Sequence, residues 1–431
     1  MKTRIALDPL RGFRDIVFDE AEEISHLIQL FKEVVREHGY REVIPPTLER
    51  FELFALKSGE EIRRSMYVFK DKAGREVALR PEVTASIARI YLRLLRPLPK
   101  PLRLYYVANC FRYEEPQRAR YREFIQAGVE LIGDSTILSD LEVITLLLEY
   151  YARLGILKDI KLILGNTRIY RKLFNIFKIP EEVQDMILHQ MDKKNYDEAL
   201  KIATQHGGTK LAGILEELWN STPQEVIKKV PEELSTVLDA INELLRVSEV
   251  VKQVYDVDLE TDLSFARGLA YYTGIIFEVK IPGFPVSIAG GGRYDTLIEL
   301  YGGEPTPGTG FAIGIDRTQA ALKHLGRSIP SYSKRSRIAI ILLNKDVQAI
   351  TTALQVKRIL TSQKIAVEMI WKGKLGKILP RLGREGVKHA IIIGEREAKT
   401  NTIIIRNLEK HEQQRLSLND LQSVLEQLIQ G

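Results

Sequence analysis

The sequence predicts an α+β domain built on an antiparallel sheet, interrupted by a helical insertion and followed by a small three-layer α/β domain. Three observations carry that expectation. Strand patterns at residues 102–111 and 124–132 flank a charged loop, as an antiparallel pair requires. Over residues 167–230 the texture becomes charged and helical, with short segments and a Gly207–Gly208 pair, before strand patterns resume. Past residue 336, strand patterns at 337–343, 365–370 and 388–393 alternate with helical ones, a βαβ arrangement. The expected boundaries are 1–166 and 231–330 for the sheet domain, 167–230 for the insertion, 331–336 for a polar, basic linker, and 337–431 for the last domain.

The elements follow in order. Ile24, Leu27, Ile28, Phe31, Val34 and Val35 recur at helical spacing, and Gly39 is a stop signal. Pro45 and Pro46 make the next strand an edge or an irregular one. A strand at 77–79 leads to a helix starting near Pro81. Ser139 and Glu142 have the spacing of a capping box and open a helix to about Leu154. After the insertion come strands at 275–281 and 286–289.

The chain has 431 residues, 45% of them hydrophobic, enough for two or three domains with their own cores. No apolar run is long enough to span a bilayer, and the first residues lack the apolar stretch of a secretory signal. One cysteine, Cys110, allows no intrachain disulfide, and the seven histidines show no metal-ligand spacing. A cytoplasmic protein with no dedicated metal cluster is expected. Net charge is +6, unevenly placed. Residues 334–431 hold 18 Lys+Arg against 9 Asp+Glu, the remainder 45 against 48. Lys364, Lys372, Lys374, Lys377, Arg381, Arg384 and Lys388 fall in one stretch, a cationic surface suited to a phosphate backbone.

Along residues 124–131, side chains alternate between strand faces. Ile125, Ala127, Val129 and Leu131 form an ordinary core face. Phe124, Gln126, Gly128 and Glu130 share the other, where two long polar groups flank a glycine. The missing side chain is expected to leave room for a small ligand; a solvated outer face is the competing reading. No GxxxxGK[ST] occurs, and Gly308-Thr-Gly310 does not continue as GxGxxG, so neither a P-loop nor a dinucleotide fold supplies a nucleotide site.

The stretch NCFRYEEPQRARYREFIQAGVELIG from Asn109 resembles motif 2 of the class II aminoacyl-tRNA synthetases, and FARGLAYYTG from Phe265 resembles the signature of histidyl-tRNA synthetases. GYREVIPPTLE from Gly39 is similar to motif 1, with Pro46 at the motif proline, GTGFAIGIDR from Gly308 to motif 3, and RPEVT from Arg80 to a further family element. The order and spacing fit over nearly the whole chain. The resemblance implies a class II catalytic domain, an anticodon-binding C-terminal domain, a cytoplasmic homodimer formed through motif 1, and L-histidine, ATP with Mg2+, and tRNA(His) as ligands.

It also implies roles. Arg112 and Arg267 would be catalytic: Arg112 on the α-phosphate, Arg267 bridging that phosphate and the substrate carboxylate. Arg120 and Arg317 would hold the outer phosphates with magnesium. Glu130 and Tyr272 would contact the imidazole and Tyr271 would line the pocket. Glu82 and Thr84 would take the amino group, and Gln126 would bridge the amino and carboxylate ends. Gln117 and Arg118 would meet the tRNA acceptor end, although Glu115 stands where many bacterial members carry a basic residue. Chemistry agrees: in-line attack of a carboxylate on a phosphate needs fixed cations rather than a protein nucleophile, and the arginine fork stays charged. Adjacent strand residues face opposite ways, so one of Tyr271 and Tyr272 is expected to pack in the core. Gly290–Gly292 either permit close backbone approach or form a tight turn. The alternatives are a catalytically silent histidine-binding paralogue that regulates ATP phosphoribosyltransferase, and a tRNA-sensing module without catalysis.

Overall fold

Helix α1 (Phe18–Glu37) buries the expected stripe, and Gly39 turns the chain out at φ 81°, a conformation that suits glycine. The computed structural model describes residues 6–58, 60–229, 232–266, 271–329 and 337–424. Arg267 and the expected linker lie outside them. The chain divides into two units, Met1–Tyr332 and Ser333–Gly431. Among the described residues no helix is long and apolar enough to cross a membrane.

In the first unit, β1 (Arg41–Glu42) precedes the two prolines and β2 (Leu48–Arg50) follows them. After α2 (Glu52–Ser58), β3 (Val68–Lys70) and β4 (Glu76–Leu79) join β2 in a three-stranded sheet. Next come α3 (Thr84–Ile90), β5 (Leu102–Phe111), β6 (Glu123–Ile132), α4 (Ile137–Arg153) and β7 (Lys161–Asn166). Five helices follow: α5 (Thr167–Ile176), α6 (Glu181–Asp192), α7 (Tyr196–Asn220), α8 (Pro223–Lys229) and α9 (Ser235–Val254). The unit closes with β8 (Asp258–Thr261), β9 (Ile275–Lys280), β10 (Ala289–Arg293), α10 (Leu297–Leu300), β11 (Gly308–Gly314) and α11 (Ile315–His324).

Eight strands form the main sheet in the order β1-β5-β6-β11-β10-β9-β7-β8. The six central strands are antiparallel, while β1 and β8 join parallel at the edges. The sheet is therefore mixed. Ala127, Val129 and Leu131 of β6 face a core shared with α1, α4 and α9. Tyr106, Cys110, Tyr271, Tyr272 and Tyr294 build a second cluster.

Two local expectations are corrected. α4 starts at Ile137 with Thr136 as its cap; Ser139 already lies inside the helix and donates to the Thr136 carbonyl at 2.8 Å, so it makes no capping box. Of the two readings of Gly290–Gly292, the tight turn is excluded: they lie in the middle of β10, between β9 and β11. After the expected insertion comes α9, whose buried face joins the sheet's core. The Gly207–Gly208 pair marks a kink within α7, where Gly208 takes φ 76°.

The second unit contains β12 (Arg337–Leu342), α12 (Val347–Ser362), β13 (Ala366–Ile370), α13 (Leu375–Arg384), β14 (His389–Ile393), α14 (Glu395–Lys399), β15 (Thr402–Asn407) and β16 (Gln413–Ser417). Its sheet runs β13-β12-β14-β15-β16, parallel across the first three strands and antiparallel beyond. Ile338 and Ile340 pack with α12, Ala339 and Ile341 with α13, so alternation along one strand makes three layers. The final antiparallel pair is absent from the sequence reading, because β16 (QQRLS) has no apolar alternation.

Candidate active site

Among the described residues expected at the site, Glu130 is the most buried, at 1% exposure. A carboxylate in such a place needs donors, and it has them. Thr84, at the start of α3, donates its hydroxyl to Oε1 at 2.7 Å, and the Tyr294 hydroxyl donates to Oε2. Burial and the adjacent carboxylate push the Tyr294 hydroxyl well above its ordinary value, which keeps it a donor. Both carboxylate oxygens are thus held in place by hydroxyl donors. The glycine that makes room for this carboxylate is Gly310, Glu130's partner across β6 and β11. A Cβ there would come within 2.1 Å of Oε2.

Gly128 does something else. A Cβ on it would meet the Tyr106 hydroxyl at 2.4 Å, and Tyr106 is its partner on β5. The space expected for a ligand is filled by that tyrosine. The polar face is not solvated either: Gln126 is 9% exposed and accepts from the Cys110 thiol at 3.3 Å. That contact uses the Gln126 carbonyl oxygen and not its NH2 donors. Burial pushes the Cys110 thiol up to about 12.

Glu82, Thr84, Arg112, Gln126, Glu130, Tyr271, Tyr272 and Arg317 all line one cleft. Its floor includes Gly290–Gly292, which bring backbone where side chains would otherwise stand. Glu82 is half-buried and accepts the Ala85 amide at 3.2 Å, which fixes the start of α3. Arg80, before it, is 4% exposed and donates to the carbonyls of Asn109, Pro45 and Pro46. One buried arginine thus ties the proline segment to the end of β5.

Arg112 donates Nε to the Pro81 carbonyl at 3.0 Å, and its guanidinium lies 5.2 Å from the Phe124 ring centroid. Among the described residues no carboxylate lies within ion-pair distance of it. Arg317, in the first turn of α11, donates to the Ser287 carbonyl at 3.0 Å. The cleft includes Gly314, where α11 opens, and a helix N-terminus favours anions. Beside it, Asp316 accepts the Ile125 amide at 2.7 Å and Arg14.

Tyr271 and Tyr272 are both 7% exposed, with ring centroids 4.8 Å apart. Tyr271 also meets the Tyr294 ring edge-on at 6.1 Å. The expectation that one of the pair points away into a core is corrected: β9 begins only at Ile275, so strand alternation does not apply and both rings reach the cleft. Tyr106, Tyr294 and Gly310 are the contributors that sequence reasoning missed. Tyr294 had a signal, since it shares parity with Gly290 and Gly292.

The remaining expected residues lie elsewhere. Arg120 is paired with Glu114 and lines an adjoining hollow with Arg112 and Arg317. Gln117 and Arg118 are exposed at the tip of the loop, where Gln117 and Arg120 bridge by backbone hydrogen bonds. Glu115 pairs with Arg11 at 2.7 Å. The arrangement gathers two arginines, a fixed carboxylate and three tyrosines in one cleft.

A family model described as "Histidyl-tRNA synthetase" matches residues 12–318, and one described as "Anticodon binding domain" matches 337–428. The histidine–tRNA ligase of Saccharolobus solfataricus is 41% identical over 441 residues, covering 99% of this chain and all of the relative. That of Sulfolobus acidocaldarius is 44% identical over 424 residues, covering 97% and 98%. The solved histidyl-tRNA synthetase of a Nostoc species shares the fold, with a TM-score of 0.78 at 22% identity over 99% of this chain and 100% of that one. The apo Staphylococcus aureus enzyme, S. aureus histidyl-tRNA synthetase, matches with a TM-score of 0.74 at 25% identity, covering 97% and 99%. A signature, two matching family models and end-to-end relatives above 40% identity agree with the geometry of the cleft, and the chain belongs to the histidyl-tRNA synthetase family.

Proposed function

We propose that this chain is a histidine–tRNA ligase: its cleft activates L-histidine with ATP, and the histidine is then transferred to the 3′ end of tRNA(His). The observation that carries this reading is one cleft that brings the buried Glu130 carboxylate, fixed by Thr84 and Tyr294, together with Arg112. An imidazole N–H donates to Glu130, and the Tyr272 hydroxyl serves the other ring nitrogen, with Tyr271 lining the pocket. Glu82 and Thr84 receive the α-amino group, and Gln126 spans the amino and carboxylate ends. A pocket of fixed polar groups rejects ligands that leave them unpaired.

A histidine carboxylate oxygen attacks the α-phosphorus of ATP, the bond to the bridging oxygen breaks, and pyrophosphate leaves. Arg112 and Arg267 neutralise the charge that builds on the α-phosphate. Arg317 holds the outer phosphates, and Arg120 joins it by exchanging Glu114 for the triphosphate. A terminal ribose hydroxyl of the tRNA then attacks the acyl carbon and AMP leaves. Magnesium fits as a companion of ATP. Among the described residues no group of three His, Cys, Asp or Glu side chains converges on a metal site, and this ion is commonly held by phosphates and water. Bound there, it would offset triphosphate charge.

The loop tip with Gln117 and Arg118 is proposed to meet the acceptor end, and the second unit the anticodon arm. A cytoplasmic location and a homodimer joined through residues 39–49 follow from the family reading; Ile44 and Leu48 leave apolar side chains 83% and 42% exposed in that segment. No observation favours the regulatory paralogue; the anticodon-binding match over 337–428 and Arg267 in the sequence speak for the ligase. The test is histidine-dependent ATP–pyrophosphate exchange followed by charging of tRNA(His). Exchange with no charging would favour activation alone, and neither activity would sink the reading.

A further inference from the structure

The start of α5 sits against the segment that follows the tyrosine pair. Asn166 ends β7 and caps α5, its side chain accepting the Arg168 amide at 3.0 Å. Its own amide donates to the Ala240 carbonyl and to Glu243, each at 3.0 Å, which pins the cap to α9. Thr167 is 3% exposed. Its hydroxyl donates to the carbonyls of Tyr272 at 3.2 Å and Gly274 at 3.1 Å, and its amide donates to Gly274 at 3.0 Å.

The same three residues are gripped from the other side. The Thr273 amide donates to the Arg293 carbonyl at 2.8 Å, and its hydroxyl accepts the Asp295 amide at 2.8 Å. Arg168 closes the ring, with Nη1 3.0 Å from Glu243 and Nη2 3.7 Å from Asp295. Gly274 has no room for a side chain: a Cβ would lie 2.9 Å from the Arg293 Cδ. Tyr272–Gly274 is therefore clamped between the end of β7 and the end of β10, and both ends lead into the cleft. One leads to the Tyr271–Tyr272 rings, the other to Tyr294 on Glu130.

We propose that Thr167 and Arg168 are positioning residues for the amino-acid end of the cleft: they hold the Tyr272–Gly274 backbone so that the tyrosine rings meet the histidine side chain. The proposal rests on the reading of the cleft as a histidine-activating site. Neither residue lines that cleft. Their effect passes through the peptide planes that orient Tyr272, so it falls on the amino acid and not on the nucleotide.

The test uses the full chain and steady-state pyrophosphate exchange, with histidine and ATP titrated separately. Thr167→Val keeps shape and removes the hydroxyl; Thr167→Ser keeps the hydroxyl. Thr167→Val is expected to raise the KM for histidine about tenfold, the scale of one lost buried hydrogen bond, with the KM for ATP within about twofold. Thr167→Ser is expected to stay near wild type. Glu243→Gln, which loosens Arg168 from outside the core, gives the same histidine-selective shift at about threefold and serves if the valine variant does not fold. A histidine KM unchanged in both Thr167→Val and Glu243→Gln, an ATP KM rising in step, or a serine variant as impaired as valine would overturn the clamp. Wild-type protein with no histidine-dependent exchange overturns the underlying reading, and the clamp with it.

Discussion

The cleft and the cationic stretch of the second unit present their charges in opposite ways. In the cleft, Glu130 is almost fully buried and both of its oxygens already carry a donor. Along residues 364–388 the charges are solvated. Arg381 is paired with Glu368 and Glu385, whereas Lys372, Lys374 and Lys377 are exposed and without an ion pair among the described residues. The first turn of α13 has no acid to balance Lys377, and cations there oppose the helix dipole. Pre-formed partners give selectivity for one small molecule; loose surface cations give salt-dependent attraction to any suitably shaped polyanion. The two kinds of site should respond differently to the same perturbations.

The largest effect is expected at the phosphate end. Arg112→Ala should lower exchange about 100-fold or more, as for loss of a donor to developing charge, and should leave histidine affinity nearly unchanged. Arg267→Ala is expected to match it. Exchange within a few-fold of wild type would end either assignment. Next, Glu130→Gln should raise the KM for histidine by about 10- to 100-fold while the KM for ATP stays put, because a charged acceptor is replaced by a weaker one. Equal shifts for both substrates would mean that the site map is wrong.

The comparison sharpens with the combined replacement of Lys372, Lys374 and Lys377 by alanine. Exchange should be unaffected. The tRNA KM in charging should rise several-fold, and the slope of log affinity against log salt should fall by about 2. An unchanged slope would remove this stretch from the tRNA surface. The smallest effect concerns Cys110. With its thiol pushed up to about 12 by burial, the reactive thiolate is scarce near neutral pH. Alkylation should be negligible in the folded protein and rapid in denaturant; rapid labelling of the native chain would show that this side of the cleft opens.

Much of this was legible from residue order. Alternation along 124–131 separated the core face from the ligand face, and the helical spacing from Ile24 to Val35 marked the buried stripe of α1. What failed depended on neighbours distant in sequence. Gly128 looked like a vacancy until β5 supplied Tyr106, and nothing in residue order tied Gly310 to Glu130 until β6 and β11 paired. The Tyr271–Tyr272 orientation failed because alternation was applied one turn before the strand began. The start of α4 failed because Ser139 bonds to the Thr136 carbonyl and to Arg293, not to an amide at the helix start. Arg267 and the linker lie outside the described residues, so their placement stays with the sequence argument.

The pairing of β6 with β11 has a consequence for synthesis. Residues 126–132 are joined to 308–314, and Asp316 binds both the Ile125 amide and Arg14. A ribosome that has just released β6 must therefore add more than half of the first unit before that strand gains its second neighbour. Until then the nascent chain carries an unpaired strand edge, and contacts this far apart in sequence form slowly. The amino-acid pocket is thus a late product of translation, and a fragment ending before Gly308 should be recognised by chaperones rather than by histidine.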